Sequence, residues 1–146
     1  MDFMESSFEE KIQKVKGYFS HAKDTEEKYE LIIKLGRELK HLAEKEKTKE
    51  NKIEGCQSNT FVKSTFENGK VFFEATSDAL ISSGLVSILI SVYSGEEPAI
   101  ILKNKPDFLK DIGIEASISP NRANGLYEMF TRMQKDALLY ETKKGA

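Results

Sequence analysis

Apolar residues recur at helical spacing in the N-terminal part of the chain. Ser7, followed by Glu10 three residues later, forms the capping-box pattern and predicts that a first helix begins there. The apolar face of this helix consists of Phe8, Ile12, Val15 and Phe19. A second helix is predicted to begin at Asp24 or Thr25. Its apolar stripe consists of Tyr29, Ile32, Leu35 or Gly36, Leu39 and Leu42.

Strand-like sequence follows, centred on the dipeptide Asn68-Gly69. Both residues tolerate the positive φ of a type I′ turn, so the pair favours a β-hairpin. Its arms contain mostly β-branched and aromatic residues. They include Phe61, Val62, Thr65 and Phe66 before the turn, and Val71, Phe72, Phe73 and Thr76 after it. The segment Lys52–Glu54 is predicted to add a short third strand, which gives an antiparallel sheet of about three strands.

Helical periodicity returns after the hairpin. The dipeptide Ser77-Asp78 is predicted to cap a third helix, which Gly95 ends. This helix is the most apolar in the chain and is expected to pack centrally on the sheet. Pro98 and Pro106 mark two short helical turns. Ser119-Pro120 predicts the start of the last helix, with Ser as N-cap and Pro at the first helical position. The inward residues of that helix are Leu126, Met129, Phe130, Met133, Ala137 and Tyr140.

This order of elements predicts an α+β fold, in which a small antiparallel sheet is flanked by helices. No internal repeat divides the sequence, so residues 1–146 are expected to form a single domain. Residues 44–52 contain no apolar side chain. They are predicted to form a frayed helix end and a solvated loop or, alternatively, a charged docking surface for a partner next to Cys56.

Composition narrows the classes of function. The 22 basic and 24 acidic residues leave a net charge of −2, so no nucleic-acid partner is expected. The longest apolar stretch, Leu85–Tyr93, is too short to span a bilayer, and no membrane association is expected. The first residues, Met1–Glu5, lack the features of a signal peptide. Together with a single free thiol, these observations favour a reducing, cytoplasmic location.

Cys56 is the one cysteine in the sequence. A lone thiol cannot form an intramolecular disulfide or supply the several thiolates of an iron–sulfur or all-cysteine zinc site. His21 and His41 belong to no ligand pattern and are expected at the surface, so neither a metal nor a cofactor is predicted. Gly55 and Gln57 place the cysteine in a turn or loop. There Cys56 is a nucleophile or a carrier of a single atom or, alternatively, a small buried apolar residue.

Three segments agree in order and spacing with a known family. Their sequences are IEGCQS at 53–58, SDALISSGL at 77–85 and SPNRANGL at 119–126. Together they resemble the SufE family of sulfur acceptors, which are partners of cysteine desulfurases in iron–sulfur cluster assembly. The resemblance extends over roughly residues 8–140. The sequence departs from the family pattern at Phe61, where Trp is frequent, and at Ala116-Ser117, where His is frequent.

The resemblance implies a SufE/IscU-like fold and a function for Cys56, which would accept sulfane sulfur as a persulfide. The donor would be a cysteine desulfurase of the SufS or CsdA type, which the protein would also stimulate. The recipient would be an iron–sulfur scaffold complex that contains SufB. The scaffold role of IscU itself is not implied, because such a scaffold uses several cysteines. The protein is expected to be a monomer or a weak homodimer.

Five residues are expected to support the cysteine. Gly55 gives the loop freedom to move the thiol between a sheltered and an exposed position. Gln57 and Ser58 are predicted to fix the loop by hydrogen bonds. Asp78 is predicted to cap the third helix, and the resemblance implies that it also influences how the loop opens. Arg122 is predicted to hold carboxylates or backbone carbonyls near the loop, to face the partner or to form a surface salt bridge.

Two other classes of function stay open from the sequence. A stand-alone cysteine-dependent enzyme, such as a peroxidase or thiol hydrolase, would need a base or a cation fixed beside Cys56. In a non-catalytic interaction module, Cys56 would only pack against its neighbours.

Overall fold

The computed structural model describes residues 3–144, and the side chains of residues 8–143. It has the predicted α+β architecture, with an antiparallel hairpin covered by helices. The helices and strands in chain order are α1 (Phe3–Phe19), α2 (Thr25–Glu38), β1 (Thr60–Glu67), β2 (Lys70–Ser77), α3 (Leu80–Tyr93), α4 (Pro98–Lys103), α5 (Phe108–Asp111) and α6 (Pro120–Lys144).

The two N-terminal helices form as predicted, but their boundaries differ. α1 begins before Ser7, so this residue lies inside the helix and the predicted capping box is wrong. No Gly or Pro precedes Ser7 to stop the helix there. Asp24 caps α2 as predicted, because its carboxylate accepts a hydrogen bond from the Glu27 backbone N–H at 2.9 Å. α2 ends before Leu39 and Leu42, which continue the apolar stripe beyond the helix.

The hairpin turns at the predicted dipeptide. Asn68 and Gly69 have φ values of 53° and 78°, and the flanking residues Glu67 and Lys70 pair across the turn. These values are those of a type I′ turn, whose twist matches that of the strands. The register then runs unbroken to the pair Thr60↔Ser77 at the open end of the hairpin.

The predicted third strand is wrong, because the pairing shrinks to a single bridge between Lys52 and Phe61. Next to the bridge, the Ile53 backbone N–H donates to the Thr60 carbonyl at 2.8 Å. A turn precedes this short pairing, and Gly55, with a φ of 79°, directs the chain away after it. The sheet therefore has two strands rather than about three.

α3 is the central helix, as predicted, and contacts α1, α2, α6 and β2. Its contact with α2 is unusually close. A Cβ atom at Gly36 would lie 2.2 Å from the Leu80 carbonyl oxygen, and one at Gly84 would lie 2.0 Å from the Ile32 carbonyl oxygen. The two helix backbones thus touch at positions where any side chain would separate them, which explains the glycine inside α2.

The C-terminal elements also follow the sequence signals. Gly95 takes a φ of 86° just after α3, and Pro98 starts α4. The Ser119 hydroxyl accepts a hydrogen bond from the Arg122 backbone N–H at 3.3 Å and caps α6. The buried residues of α6 include Leu126, Met129, Phe130, Met133 and Ala137. Within residues 3–144, the structure contains no helix with the length and apolar character needed to cross a bilayer.

The close contact of α2 and α3 makes Gly84→Ala a destabilising change. The new methyl group would be forced against the Ile32 carbonyl, so we expect the free energy of unfolding to fall by about 1–3 kcal/mol or more. Gly17→Ala in α1 is the matched control, because its Cβ would have no neighbour within 4 Å and alanine favours a helix by about 1 kcal/mol. Urea denaturation measures both variants. A Gly84→Ala protein as stable as the unmodified one would contradict the close contact.

Candidate functional site

The predicted loop position of Cys56 is confirmed. Residues 54–59 form a loop whose two ends are joined by the hydrogen bond between Ile53 N–H and the Thr60 carbonyl. Gly55 has a positive φ, and a Cβ atom there would also lie 3.2 Å from Cγ of Glu128 in α6. Both constraints favour glycine at this position. Cys56 follows it near the tip of the loop and is partly buried.

Hydroxyl groups lie on the inner side of the Cys56 sulfur. Its Sγ is 3.4 Å from Ser58 Oγ and 3.5 Å from Thr60 Oγ1. On the side of α6, Gly125 leaves the space that the sulfur fills, since a Cβ atom there would lie 3.2 Å from Sγ. The thiol therefore packs between a polar group of hydroxyls and the bare backbone of a helix.

Two further hydroxyls extend this polar group inward. Ser58 Oγ donates to Ser82 Oγ at 2.8 Å and lies 3.1 Å from Thr60 Oγ1. Ser77 Oγ lies 2.8 Å from Thr60 Oγ1 and donates to Ser58 Oγ at 3.3 Å. We call Ser58, Thr60, Ser77 and Ser82 the hydroxyl cluster. Three of its members, Ser58, Thr60 and Ser82, are buried, so water does not weaken their mutual hydrogen bonds.

Arg122 reaches the hydroxyl cluster from the first turn of α6. Its Nη1 donates to Ser82 Oγ at 3.1 Å. Among the described residues the side chain makes none of the predicted contacts with carboxylates, backbone carbonyls or a surface salt-bridge partner, and its acceptor is a serine hydroxyl. The alternative that Arg122 faces the partner stays a prediction. Ser82 lies 40 positions earlier in the chain, and only the packing of α3 against α6 brings the two side chains together.

These surroundings lower the pKa of the Cys56 thiol below its ordinary value. Burial acts in the opposite direction and by itself would raise the pKa. Hydrogen bonds from the Ser58 and Thr60 side chains and the Ser58 backbone outweigh burial, and the positive charge of Arg122 adds to their effect. A larger fraction of Cys56 is therefore thiolate near neutral pH than in a free cysteine, and the thiolate is the reactive form.

Asp78 holds the end of the cysteine loop and does not cap α3. Its carboxylate accepts hydrogen bonds from the backbone N–H and the side-chain amide of Asn59, each at 3.0 Å. The N-cap position of α3 is Ala79, so the predicted cap at Asp78 is wrong. The pairing of Thr60 with Ser77 explains the difference, because it places Asp78 opposite Asn59. The expected position of Asp78 near the cysteine loop agrees with this geometry.

A shallow depression of about 210 Å³ opens on the outer side of the cysteine. It is lined by Gly55, Cys56, Gln57, Asn121 and Asn124. Gln57 is exposed and makes no hydrogen bond to the residues that the structure describes, so its predicted role in fixing the loop is wrong. Of the two residues predicted for that role, Ser58 is the one that forms hydrogen bonds. The depression links the thiol to solvent.

Sequence reasoning missed three members of the hydroxyl cluster. Thr60 and Ser77 come together only through strand pairing. Thr60 has no local signature, and Ser77 was predicted only as part of the cap of the third helix. Ser82 carried a usable signal, since it is a polar residue on the inward face of the most apolar helix. A buried hydroxyl requires a hydrogen-bond partner, and this requirement could have directed attention to it.

The histidines take no part in this site. His21 and His41 are both exposed, as predicted. The ring of His41 lies with its Nδ1 2.9 Å from Thr76 Oγ1. In the part of the chain that the structure describes, no group of three His, Cys, Asp or Glu side chains could hold a metal ion.

Comparison with known proteins places this geometry in context. A family model described as "SufE: Fe-S metabolism associated domain" matches residues 13–137. The chain is 34% identical over 130 residues to an uncharacterised SufE-like protein of Synechocystis sp., covering 89% of this chain and 82% of that protein. It is 39% identical over 134 residues to SufE-like protein 1, chloroplastic/mitochondrial, of Arabidopsis thaliana, covering 91% of this chain but 36% of that longer protein.

A solved structure has a similar fold. The solution structure of a hypothetical protein from Thermus thermophilus matches with a TM-score of 0.75, covering 90% of this chain and 96% of that protein. The two sequences are 21% identical. At that identity, the comparison establishes a shared fold alone.

Removal of the Asp78 carboxylate should loosen the cysteine loop. Asp78→Ala deletes two hydrogen bonds to Asn59, one of them from the Asn59 backbone N–H. The two bonds are worth about 1–2 kcal/mol together, so the Asn59 amide should exchange with deuterium roughly 5- to 30-fold faster. Hydrogen–deuterium exchange with mass spectrometry measures this. Asp24→Ala, which removes the cap of α2, is the control and should leave exchange in the loop unchanged. Unaltered loop exchange in Asp78→Ala would show that the carboxylate does not hold the loop.

The lowered pKa of Cys56 predicts how its alkylation depends on pH. The rate should rise with pH and reach half its plateau at a pH below the ordinary pKa of a cysteine thiol. Thr60→Val removes one hydroxyl next to the sulfur, so the midpoint should rise and alkylation should slow below it, while the plateau rates converge. Thr65→Val, the same change at an exposed position of the same strand, should leave the midpoint in place. Iodoacetamide labelling across pH measures each curve, and coincident curves for Thr60→Val and Thr65→Val would refute the role of Thr60.

Proposed function

Because this chain belongs to the SufE family, which is associated with Fe–S metabolism, we propose that Cys56 is a carrier of sulfane sulfur. It takes sulfur from the persulfide of a cysteine desulfurase of the SufS or CsdA type and holds it as a Cys56 persulfide. It then passes the sulfur to an iron–sulfur scaffold complex that contains SufB, and its docking stimulates the desulfurase. The motifs at 53–58, 77–85 and 119–126 support this assignment, since the family they predicted is the one to which the chain belongs.

The observation that carries the proposal is the two-sided environment of Cys56. On its inner side, hydroxyl groups from Ser58 and Thr60 stabilise the thiolate. On its outer side, the depression beside Gln57 and Asn121 opens to solvent. A thiol in this setting is activated, yet it is approached from one side only. Such an arrangement suits an atom that is loaded and unloaded by other proteins.

Loading of Cys56 would follow the chemistry of thiol–disulfide exchange. The Cys56 thiolate attacks the outer sulfur of the donor persulfide, and a new S–S bond forms on Cys56 as the S–S bond of the donor breaks. The donor cysteine leaves as a thiolate and takes up a proton. The proton on the transferred sulfur moves with it, so atoms and electrons balance without an added oxidant or reductant.

During unloading, Cys56 would change from the nucleophile to the leaving group. A thiolate of the recipient attacks the outer sulfur, and Cys56 becomes the leaving group. A leaving thiol departs faster when its pKa is low. The hydrogen bonds that lower the pKa of Cys56 therefore assist the second transfer as well as the first. One environment serves both steps because Cys56 is a thiolate before loading and after unloading.

Movement of the loop would connect the two steps. Gly55 provides the backbone freedom at one end, and the Asp78 carboxylate holds Asn59 at the other. We propose that docking of the desulfurase competes with these contacts and draws Cys56 outward. Between encounters, the partly buried position limits loss of the persulfide to small thiols or oxidants.

The two alternative classes of function receive less support. A stand-alone thiol enzyme would use a base next to Cys56, whereas the recorded hydrogen-bond partners of its sulfur are hydroxyls. The Arg122 charge offers such an enzyme a cation, and turnover with small substrates alone would reveal it. An interaction module would give no reason for hydrogen bonds that favour a thiolate. A cytoplasmic location and a monomeric or weakly dimeric state stay predictions.

The carrier proposal predicts a covalent product. Incubation with a cysteine desulfurase and free cysteine, followed by removal of small thiols, should add about one sulfur atom to Cys56. Intact-mass spectrometry and peptide mapping locate the added mass. Cys56→Ser should stay folded and gain no mass, because its hydroxyl is a poor nucleophile at neutral pH.

The same experiment discriminates among the classes of function. An unmodified mass after incubation with each available desulfurase would refute the carrier role. Full stimulation of the desulfurase by Cys56→Ser would favour the interaction module. Turnover of a peroxide or thioester without a desulfurase would favour the independent thiol enzyme.

A further inference from the structure

Ser82 is a buried polar residue on the most apolar helix of the protein. Its relative exposure is 1%, and its neighbours on the same face of α3 are mostly aliphatic. A hydroxyl in such a place must find hydrogen-bond partners or destabilise the fold. Ser82 Oγ accepts one hydrogen bond from Arg122 Nη1 at 3.1 Å and another from Ser58 Oγ at 2.8 Å. It therefore joins a cation to the residue that contacts the Cys56 sulfur.

Arg122, Ser82, Ser58 and Cys56 form a chain of hydrogen bonds, and the hydroxyl protons in it have to change direction when Cys56 ionises. Ser58 has one hydroxyl proton, which it donates to Ser82. While Cys56 is a thiol, its S–H group can donate a hydrogen bond to Ser58 Oγ. A thiolate can only accept. Ser58 must then turn its proton from Ser82 to the sulfur, since its oxygen would otherwise face the negative charge.

Ser82 can follow this turn and keep its hydrogen bond to Ser58, whose oxygen also accepts from Ser77 Oγ at 3.3 Å. Its own hydroxyl proton can rotate and donate to Ser58 Oγ across the same 2.8 Å, while Arg122 continues to donate to Ser82. Every hydrogen bond then points toward the sulfur: from Arg122 to Ser82, from Ser82 to Ser58 and from Ser58 to Cys56. Hydrogen bonds aligned in this way polarise and strengthen one another.

We propose that Ser82 is a positioning residue, which couples the Arg122 guanidinium to the Cys56 thiolate through Ser58 by reversing the direction of its hydroxyl hydrogen bond. The proton that leaves Cys56 passes to water in the depression beside Gln57, and the other protons only rotate about their own C–O bonds. This inference deepens the proposed function and rests on it, because the stabilised thiolate is the nucleophile in loading and the leaving group in unloading.

The other charged groups around the loop lie outside this chain of hydrogen bonds. Glu54 is exposed, Glu128 of α6 packs beside Gly55, and the Asp78 carboxylate is bound to Asn59. Among the described residues, Arg122 is the charged side chain that donates into the hydroxyl cluster. A change at Ser82 should therefore act on Cys56 through Arg122 and Ser58.

The test is the pH dependence of Cys56 alkylation in the free, full-length protein. Ser82→Ala should raise the midpoint by about half a pKa unit or more, which makes alkylation roughly threefold slower below the midpoint. Ser83→Ala is a matched control. Ser83 is the adjacent residue, is equally small and is 2% exposed, but its hydroxyl donates to the Ser77 carbonyl. Ser83→Ala should leave the midpoint unchanged.

Arg122→Gln tests the same coupling from the other end. It should raise the midpoint in the unmodified protein, but it should have less than half of that effect in the Ser82→Ala background, because the link is already broken. Additive shifts, an unchanged midpoint in Ser82→Ala, or equal shifts in Ser82→Ala and Ser83→Ala would overturn the inference. Arg122 is only partly buried, so Arg122→Gln should fold and give a result even if Ser82→Ala does not fold. An unchanged midpoint in Arg122→Gln would also overturn the inference.

The readout separates this inference from the proposed function. Alkylation is measured without a desulfurase, whereas sulfur uptake is measured by mass. A raised midpoint in Ser82→Ala, with no sulfur uptake by the unmodified protein, would retain the coupling and refute the carrier role. Sulfur uptake by the unmodified protein, with no shift of the alkylation midpoint in any variant, would retain the carrier role and refute the coupling.

Discussion

The contact between α2 and α3 at Gly36 and Gly84 is the constraint on which the cysteine site depends. The backbones touch directly, so no flexible side chain can absorb a displacement of one helix relative to the other. The Leu80 carbonyl, at the beginning of α3, is one of the contacting groups. Ser82 lies two residues further on, and its hydroxyl can meet Ser58 and Arg122 only while this end of the helix stays in place.

The register of the hairpin is the second constraint. The pair Thr60↔Ser77 closes the open end of the sheet, and it brings two hydroxyls together beside the cysteine loop. A slip of one residue would direct Thr60 to the other face and remove it from the sulfur. The turn at Asn68-Gly69 prevents such a slip, because its geometry fixes which residues face each other. A local signal in the sequence thus determines a polar contact at the far end of the hairpin.

The chemistry of Cys56 results from two opposing effects. Partial burial protects the sulfur but disfavours its charged form. The hydroxyl cluster and Arg122 reverse that preference without exposing the thiol. Hydroxyls suit this task because they donate to a thiolate, accept from a thiol and change between the two by rotation. A fixed cation in contact with the sulfur would stabilise the thiolate, but it would also disfavour conversion of the thiolate to the neutral thiol or to the persulfide.

The sequence by itself determined the helices, the hairpin turn, the loop position of Cys56 and the family. These features depend on local preferences: capping by Asp24 and Ser119, positive φ at Asn68-Gly69 and Gly55, and the periodicity of apolar residues. The sequence did not determine the boundary at Ser7, the missing third strand, the partners of Asp78 and Arg122, or the exposed position of Gln57. Those depend on which segments pack against each other. Only the tertiary structure brought Ser82 of α3 and Arg122 of α6 together with Ser58, because hydrogen bonds between residues far apart in the chain leave no periodic or local trace in it.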